Sequence, residues 1–329
     1  MKRRIKRRRQ IWGSWNRYLA WLVLPLVCVF AIASCTPNPK QNSNSNSGRS
    51  GDIVVGSKNF TEQIILGELL AQHIEATTGV KVDRKLNLGG TLLCHQALKA
   101  GQLDAYVEYS GTALTAVLKQ KPVNDRQQAY QQVKQEYAKQ FKLEVTEPLG
   151  FNNTFAVMMR SEHAQRLNVK NISQLAQHTP LLKAGFGFEF LERPDGLPGL
   201  AKTYGLKFAR EPQALDIGLV YRALHDKIID VIAGDSTNGL IDKLNFAVLQ
   251  DDKKYFPPYD AIPIVRQQTL DKHPKLREAF KQLKGLISEK EMRQLNYQVD
   301  GEARDVAEVV KEFLQSKQGK KPVIPNPDN

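Results

Sequence analysis

The sequence predicts an α/β protein with two lobes and a ligand cleft between them. Short apolar runs alternate with segments of helical spacing, and this alternation occurs twice, first in residues 52–112 and again in residues 153–249. Strands separated by helices in this way form sheets that carry helices on their faces. Ligands bind outside the carboxyl ends of the strands in such sheets. Two lobes joined by more than one crossing therefore predict a binding site in a cleft.

The first lobe is predicted from three strands and the helices that follow them. The apolar residues Ile64, Leu69 and Ile74 have helical spacing, and Gly79 is the residue type that commonly ends a helix. The predicted order is a strand at 52–56, a helix that ends at 79, a strand at 80–86, a helix at 92–99, a strand at 103–109 and a helix that begins at 110–112. A charged segment of helical pattern follows at 121–142.

The chain is predicted to cross into a second lobe at residues 153–159 and to return at residues 261–265. Between the crossings, the pattern predicts helices near residue 175, at 197–204 and at 219–225, and strands at 182–188, 207–208, 228–233 and 246–249. Helical spacing resumes at 270–315. The predicted lobes are therefore residues 51–153 and 258–329 for lobe I and residues 154–257 for lobe II.

The N-terminal segment predicts export of the protein. A basic head precedes an almost wholly apolar run at 18–32, and the small residues Ala33 and Ser34 lead to Cys35. This order is typical of a secretory signal, here residues 1–35. The alternative is an uncleaved anchor helix, although the run is at the short end of the roughly 17–25 residues that span a bilayer. Either way the body lies outside the cytoplasmic membrane, after a Ser/Asn-rich segment at 36–50 that predicts a flexible linker.

Composition excludes several classes of protein. Removing the eight basic residues of the head from the 47 in the chain leaves 39, against 34 acidic residues, so the charge does not indicate nucleic-acid binding. Cys94 alone follows the linker and cannot form an internal disulfide. The six histidines lack metal-ligand spacing, and no phosphate loop, nucleophile elbow or CxxC occurs. We expect no cofactor, no metal and no enzyme activity.

Six segments in consistent order within about residues 52–315 resemble the substrate-binding proteins of ABC importers for glycine betaine, choline, carnitine and related osmoprotectants. They are GSKNFTEQ at 56–63, YVEYSGTA at 106–113, NNTFA at 152–156, RPDGLPGL at 193–200, GLVYRAL at 218–224 and DDKKYFPPYD at 251–260. The resemblance implies a type II periplasmic-binding-protein fold with two hinged lobes, which does no chemistry and passes its ligand to a separate membrane permease. The hinge is expected near residues 150–156 and 255–261.

The cysteine at the end of the signal resembles the lipobox of bacterial lipoproteins. This resemblance implies that Cys35 becomes the lipid-modified first residue of the mature protein. The expected location is the extracytoplasmic side of the cell membrane, where a lipid anchor holds the protein.

The ligand class sets physical requirements for the site. A quaternary ammonium has no N–H to donate, so aromatic faces must attract it, each by about 0.5–2 kcal/mol. A ligand carboxylate needs Lys, Arg or backbone N–H groups instead. By resemblance, Tyr109 and Tyr259 are cage walls; the alternatives are a packed strand tyrosine and a hinge residue. Phe155 stands where relatives often have tyrosine, and Tyr221 is a further candidate; core packing is the alternative for both.

Polar candidates occur in the same segments. Lys58 and Arg193 are candidates to pair with a carboxylate, with exposed surface cations as the alternative. Thr112 donates to a carboxylate or caps a helix. Gln63 and Asn153 are candidate polar contacts, although Asn153 is also a typical turn residue.

Asp235 departs from the family pattern, which commonly has an aromatic residue at this position. An aspartate attracts a cation directly, specifies a different amine or amino acid, or caps a helix. The sequence therefore predicts a solute receptor for an osmoprotectant importer. The alternatives are a receptor for another small amine or amino acid, and an enzyme or surface-assembly factor with the same fold.

Overall fold

The computed structural model describes residues 52–318. The predicted signal with Cys35, the predicted linker and residues 319–329 lie outside this range. Within it, no helix combines the length and the apolar character that a membrane span requires.

Two five-stranded sheets form the two lobes. The first sheet has the strand order β2-β1-β3-β10-β4 and the second has the order β7-β6-β8-β5-β9. The strands are β1 (Ile53–Gly56), β2 (Val82–Lys85), β3 (Ala105–Tyr109), β4 (Leu143–Val145), β5 (Phe155–Arg160), β6 (Ala184–Gly187), β7 (Gln213–Leu215), β8 (Val231–Asp235), β9 (Phe246–Val248) and β10 (Ala261–Arg266).

Helices cover the faces of both sheets. In the first half of the chain they are α1 (Thr61–Thr78), α2 (Thr91–Lys99), α3 (Ser110–Thr112), α4 (Arg126–Phe141), α5 (Ser161–Leu167) and α6 (Ile172–Ala176). In the second half they are α7 (Phe188–Glu192), α8 (Leu197–Tyr204), α9 (Val220–His225), α10 (Leu240–Lys243), α11 (Gln267–Lys272), α12 (Lys275–Gln282), α13 (Glu289–Asp300) and α14 (Val306–Gln318). A π-helical turn (Ala113–Val117) continues α3, and a 3₁₀ turn (Thr179–Leu181) precedes β6.

The chain passes from one sheet to the other twice. It leaves the first sheet after β4 and enters the second with β5, then leaves the second after β9 and returns with β10. The returning β10 is antiparallel to both β3 and β4, whereas β1 is parallel to β2 and to β3. Both connections between the sheets fall near the predicted lobe boundaries, so each sheet and its helices make one lobe.

The first β-α unit shows why this sequence folds as it does. All four residues of β1 are buried, as in a parallel strand covered on both faces. On α1, Ile65, Leu69 and Ile74 are fully buried in the same core as Ile53. The helix ends at Gly79, whose backbone is left-handed with φ of 73° and whose N–H donates to the Glu75 carbonyl.

One local prediction of secondary structure was wrong, and one predicted helical segment begins later than expected. The predicted strand at 207–208 is irregular, and the strand beside β6 lies instead at Gln213–Leu215. This edge strand is mostly exposed and lacks the apolar signal that predicts a strand. The predicted helical segment at 121–142 becomes helical only at Arg126, because the Asp125 side chain accepts a hydrogen bond from the Gln128 N–H and caps the helix.

Candidate functional site

A cavity of about 170 Å³ lies between the lobes, at the carboxyl ends of strands from both sheets. It is small beside the roughly 300–1,000 Å³ typical of pockets for drug-sized ligands. Eight of the ten predicted binding residues line it: Lys58, Tyr109, Thr112, Asn153, Phe155, Arg193, Asp235 and Tyr259. Both lobes therefore contribute to its wall.

Tyr109 is held by hydrogen bonding at the end of β3. Its hydroxyl donates to Glu62 Oε1 at 2.6 Å, and burial raises its pKa well above the ordinary value, so the phenol stays neutral. The Phe60 ring stacks beside it with a centroid distance of 6.4 Å, and Lys58 Nζ lies 5.1 Å from the Tyr109 centroid. The hydrogen bond fixes the ring that forms the first-lobe wall of the cavity.

Phe155 and Tyr259 bring two more rings to the cavity. Phe155 begins β5, where the chain enters the second lobe, and its ring centroid lies 5.6 Å from that of Tyr259 and 4.9 Å from that of Phe190. The Tyr259 hydroxyl donates to Asp195 Oδ2 at 2.7 Å. Both tyrosine hydroxyls that line the cavity are thus fixed by carboxylates, and three rings from different elements of the fold surround the same space.

The two cations of the cavity already have carboxylate partners. Lys58 Nζ makes a short ion pair with Glu108, which is fully buried, and donates to Thr91 Oγ1 at 3.0 Å. The Arg193 guanidinium binds Asp195 through Nε at 2.9 Å and Nη2 at 2.6 Å. Glu108 does not line the cavity.

Each cation nevertheless has donor capacity left. An ammonium has three N–H groups and a guanidinium has five, and the hydrogen bonds of Lys58 and Arg193 use only part of them. Arg193 Nη2 also donates to the Thr112 hydroxyl at 3.0 Å, which places Thr112 beside it. Lys58, Thr112 and Arg193 can therefore still meet a ligand carboxylate, but their net positive charge is small.

Glu62 is the central residue of the site that the sequence analysis missed. It is 2% exposed and accepts hydrogen bonds from Tyr109, from Asn153 Nδ2 at 2.8 Å, from Asn296 Nδ2 at 3.0 Å and from the Thr237 hydroxyl. Burial raises its pKa despite these four bonds. Because Thr237 follows β8 in the second lobe, Glu62 joins the two lobes beneath the cavity.

Asp235 ends β8 and lies next to Phe155 in the antiparallel register. Burial, followed by the nearby charge of Glu62, raises the pKa of Asp235 to about 7. The expectation that it caps a helix was wrong, because Gly239 is the N-cap residue of α10, the next helix. Its position puts a carboxylate in the cavity wall instead of a ring.

Two of the predicted residues lie outside the cavity. Gln63 is fully buried and does not contribute to its wall. Tyr221 is buried in the core of the second lobe, and its hydroxyl accepts a hydrogen bond of 2.6 Å from the backbone N–H of Asp235. Tyr221 therefore supports the strand that presents Asp235. In this geometry we no longer expect Gln63 or Tyr221 to contact the ligand directly.

Further lining residues follow the second-lobe strand β6. Phe188, Glu189 and Phe190 contribute to the cavity, and Glu189 reaches across the cleft to accept a hydrogen bond of 2.5 Å from the backbone N–H of Thr91. Glu189 thus meets the N-terminus of α2, where a negative charge is favourable. The rule that ligands bind at the carboxyl ends of strands could have selected this segment from the predicted strand at 182–188.

The described part of the chain has no group of three or more His, Cys, Asp or Glu residues arranged to hold a metal. Cys94 is a buried free thiol, and burial raises its pKa to about 12. What the cavity offers is therefore aromatic surface, partly used donors and the carboxylates of Glu189, Asp216 and Asp235, which suit recognition of a small charged solute.

Comparisons with known proteins agree on one family. A family model described as the substrate binding domain of ABC-type glycine betaine transport systems matches residues 51–316. The carnitine transport binding protein OpuCC of Listeria monocytogenes is 35% identical over 295 residues, covering 88% of this chain and 96% of that protein. The ergothioneine transport permease/ergothioneine binding protein EgtU of Helicobacter pylori is 34% identical over 264 residues, covering 80% of this chain and 47% of that protein.

A solved structure agrees with these relatives. The crystal structure of a glycine betaine/carnitine/choline ABC transporter protein superimposes with a TM-score of 0.67 at 35% identity, covering 81% of this chain and 99% of that one. The family match spans both sheets and every cavity residue described above. The chain belongs to the family of substrate-binding domains of ABC-type glycine betaine transport systems.

Proposed function

We propose that this protein is the extracytoplasmic receptor of an ABC importer for small methylated ammonium solutes of the glycine betaine, choline and carnitine type. The observation that carries the proposal is the cavity between the lobes, in which the rings of Tyr109, Phe155 and Tyr259 surround one space. Aromatic faces attract an ammonium that cannot donate hydrogen bonds. No chemical step is needed, because the protein binds its solute and releases it unchanged.

A carboxylate on the solute would meet the donor side of the cavity. Lys58, Thr112 and Arg193 lie there, and the hydrogen bond between Arg193 Nη2 and the Thr112 hydroxyl holds two of them together. These are the proposed contacts for the carboxylate end of a betaine or of carnitine. Tyr221 acts through Asp235, whose backbone N–H donates to its hydroxyl.

The receptor works with a permease in the membrane. Closure of the two lobes on a ligand presents a surface made by both, and ligand contacts to both lobes shift the population toward the closed state. We include a lipid anchor at Cys35 in the proposal, because the basic head, the apolar run and the small residues before this cysteine precede the folded body. The anchor would keep the receptor near its permease.

A second candidate is a receptor for a different amine. Asp235 favours it, since a carboxylate stands where family members commonly have a ring, and one relative is named for ergothioneine instead of a simple betaine. The family assignment is the same for both candidates, and only the solute differs.

Calorimetric titration of the purified protein tests both candidates. Glycine betaine, choline, carnitine and ergothioneine are each titrated, and mannitol serves as a neutral solute control. We expect at least one of the four solutes to bind with a micromolar to submicromolar dissociation constant. No binding of any of them at about 1 mM would contradict the proposed function.

A further inference from the structure

The cavity wall carries hydrogen-bond donors and acceptors around the Tyr109 ring. Lys58 Nζ is 5.1 Å from the centroid of the Tyr109 ring. The hydroxyl at the far end of the same ring donates to Glu62, which also binds Asn153. Asn153 and Asp235 also line the cavity. A solute in the cavity therefore meets acceptors as well as the donors Lys58, Thr112 and Arg193.

Asn153 has an acceptor without a partner. Its Nδ2 donates to Glu62 Oε1 at 2.8 Å, which fixes the orientation of the amide. Its Oδ1 is buried and has no hydrogen-bond partner among residues 52–318, and the residue as a whole is only 5% exposed. A buried acceptor with no donor is costly. A donor on a bound solute would remove that cost.

Asp235 adds a second acceptor beside Asn153. An ionised carboxylate only accepts hydrogen bonds, and the Asn153 amide is near enough to lower the pKa of Asp235. A fully methylated ammonium has no N–H, so it would leave Asn153 Oδ1 unpaired and would meet the Asp235 charge without a hydrogen bond. An ammonium that keeps one N–H can satisfy an acceptor and still present methyl groups to the rings.

We propose that the cavity prefers a carboxylate-bearing amine that has at least one N–H on its ammonium nitrogen over a fully methylated betaine. The inference rests on the proposed function and narrows its substrate class. Asp235 is the residue that determines this specificity, and Asn153 is the second acceptor.

Two solutes that differ by one methyl group give the sharpest test. N,N-dimethylglycine has one N–H where glycine betaine has a third methyl group, and both carry the same carboxylate. Calorimetry on the purified protein should show dimethylglycine binding about tenfold or more tightly than glycine betaine, as expected for a hydrogen bond to a charged group.

Variants at residue 235 should change this ratio. Asp235→Asn removes the charge, and we expect the ratio to fall to within about threefold of unity. Asp235→Tyr restores an aromatic residue, and the preference should reverse toward glycine betaine. Asp216→Asn is the matched control, because Asp216 also lines the cavity but is exposed, so solvent screens it.

The pH dependence provides a second readout. The charged groups that act on Asp235 are Glu62, Lys58 and Asp300. The Tyr109 phenol also interacts with its charge, and the Tyr221 phenol lies against its backbone. Because the pKa of Asp235 is about 7, its charged form gains population as pH rises through that value. The preference for dimethylglycine should increase over this range in the native protein and stay flat in Asp235→Asn.

The possible results separate this inference from the proposed function. Equal or tighter binding of glycine betaine by the native protein would overturn the N–H preference and leave the proposed function standing. An Asp235→Asn variant that binds glycine betaine but keeps the native ratio would overturn the role of Asp235. Failure of both solutes, together with choline and carnitine, to bind the native protein would overturn the proposed function and this inference with it.

Discussion

At the residue scale, variants of Tyr109 separate the contribution of its ring to solute binding from that of its hydroxyl. The ring lines the cavity, whereas the hydroxyl is used by Glu62 beneath it. We expect Tyr109→Ala to weaken solute binding about tenfold or more, because the cation loses an aromatic face. Tyr109→Phe keeps the face and should bind within about threefold of the native affinity.

The same pair of variants should behave differently in stability. Tyr109→Phe leaves Glu62 with one donor fewer and should lower the free energy of unfolding by about 1–2 kcal/mol. Calorimetry gives the affinities and denaturant unfolding gives the stabilities. Native affinity in Tyr109→Ala would show that this ring does not contact the solute.

Asp235 should also make folding depend on pH. Its pKa is raised to about 7 in the folded protein, against an ordinary value near 3.9, so the folded state resists its ionisation. The contribution of Asp235 to the free energy of unfolding is therefore highest at acidic pH, where Asp235 is protonated, and it falls as pH rises through about 7. From about pH 5 to about pH 8, we expect Asp235→Asn to lose less stability than the native protein, by on the order of 2 kcal/mol.

Urea unfolding of the two proteins at several pH values checks this expectation. Glu62 has a raised pKa too and gives a dependence of the same sign, which persists in the variant. Only the difference between the two proteins reports on Asp235. Parallel pH profiles would mean that Asp235 is solvated well enough to ionise normally.

What the sequence could predict at this scale depends on the type of interaction. Tyr109 and Arg193 were identifiable because they belong to segments that resemble the family, and the structure brings both to one cavity. Glu62 also lies in such a segment, but its partners Asn153, Thr237 and Asn296 come from distant parts of the chain. Only the tertiary fold reveals that these residues surround a buried carboxylate.

At the scale of elements, the turn from β3 into α3 needs a glycine. A Cβ added to Gly111 would lie 2.7 Å from the Pro258 carbonyl oxygen and 2.8 Å from the Tyr259 ring. Both contacts are far closer than normal packing permits, and one of them is backbone. The glycine therefore allows α3 to approach the segment that delivers Tyr259 to the cavity.

Gly111→Ala should displace Tyr259 and weaken both folding and binding. We expect a loss of about 1–3 kcal/mol in the free energy of unfolding, as for other overpacked sites, and a weaker solute affinity. Gly218→Ala is the control, because its nearest neighbour, Asp216 Oδ1, would be 3.3 Å away. Equal stability of the two variants would show that the Tyr259 segment moves aside at no cost.

Elements were predictable where burial dictates the pattern. The buried strand β1 and helix α1 have clear apolar spacing, and Gly79 ends the helix as expected. The exposed edge strand β7 has no such pattern, because pairing with β6 alone defines it. The short β4 was missed for a different reason, since its three residues follow α4 after a single left-handed residue, Lys142.

At the scale of the whole molecule, hydrogen bonds across the cleft hold the lobes together. Glu189 of the second lobe accepts from Thr91 of the first, and Arg193 donates to Thr112. A further connection is the bond from Thr237 to Glu62. Because these bonds join the two lobes, their loss should favour a more open arrangement.

Glu189→Ala should shift the molecule toward opening. We expect a larger radius of gyration without solute in small-angle X-ray scattering, and a solute affinity about five- to tenfold weaker because closure now costs more. Glu192→Ala is the control, since this neighbouring residue is exposed and lies outside the cavity wall. An unchanged affinity in Glu189→Ala would show that this bond does not contribute to closure.

The arrangement of lobes was largely predictable because a recognisable sequence segment lies at each crossing between the lobes. Strand β5 begins beside the quoted segment 152–156, and β10 follows the segment 251–260. What the sequence could not show is that Lys58 and Arg193 enter the cavity already paired with Glu108 and Asp195. That pairing sets the charge that a solute meets, and it depends on which side chains the two lobes bring together.

A crystal structure of the protein with bound solute would show whether three rings between the lobes hold the ammonium group. We expect the ammonium nitrogen to lie within about 6 Å of the ring centroids of Tyr109, Phe155 and Tyr259, and the solute carboxylate to lie toward Arg193. An ordered solute bound elsewhere, with this cavity empty, would contradict this expectation.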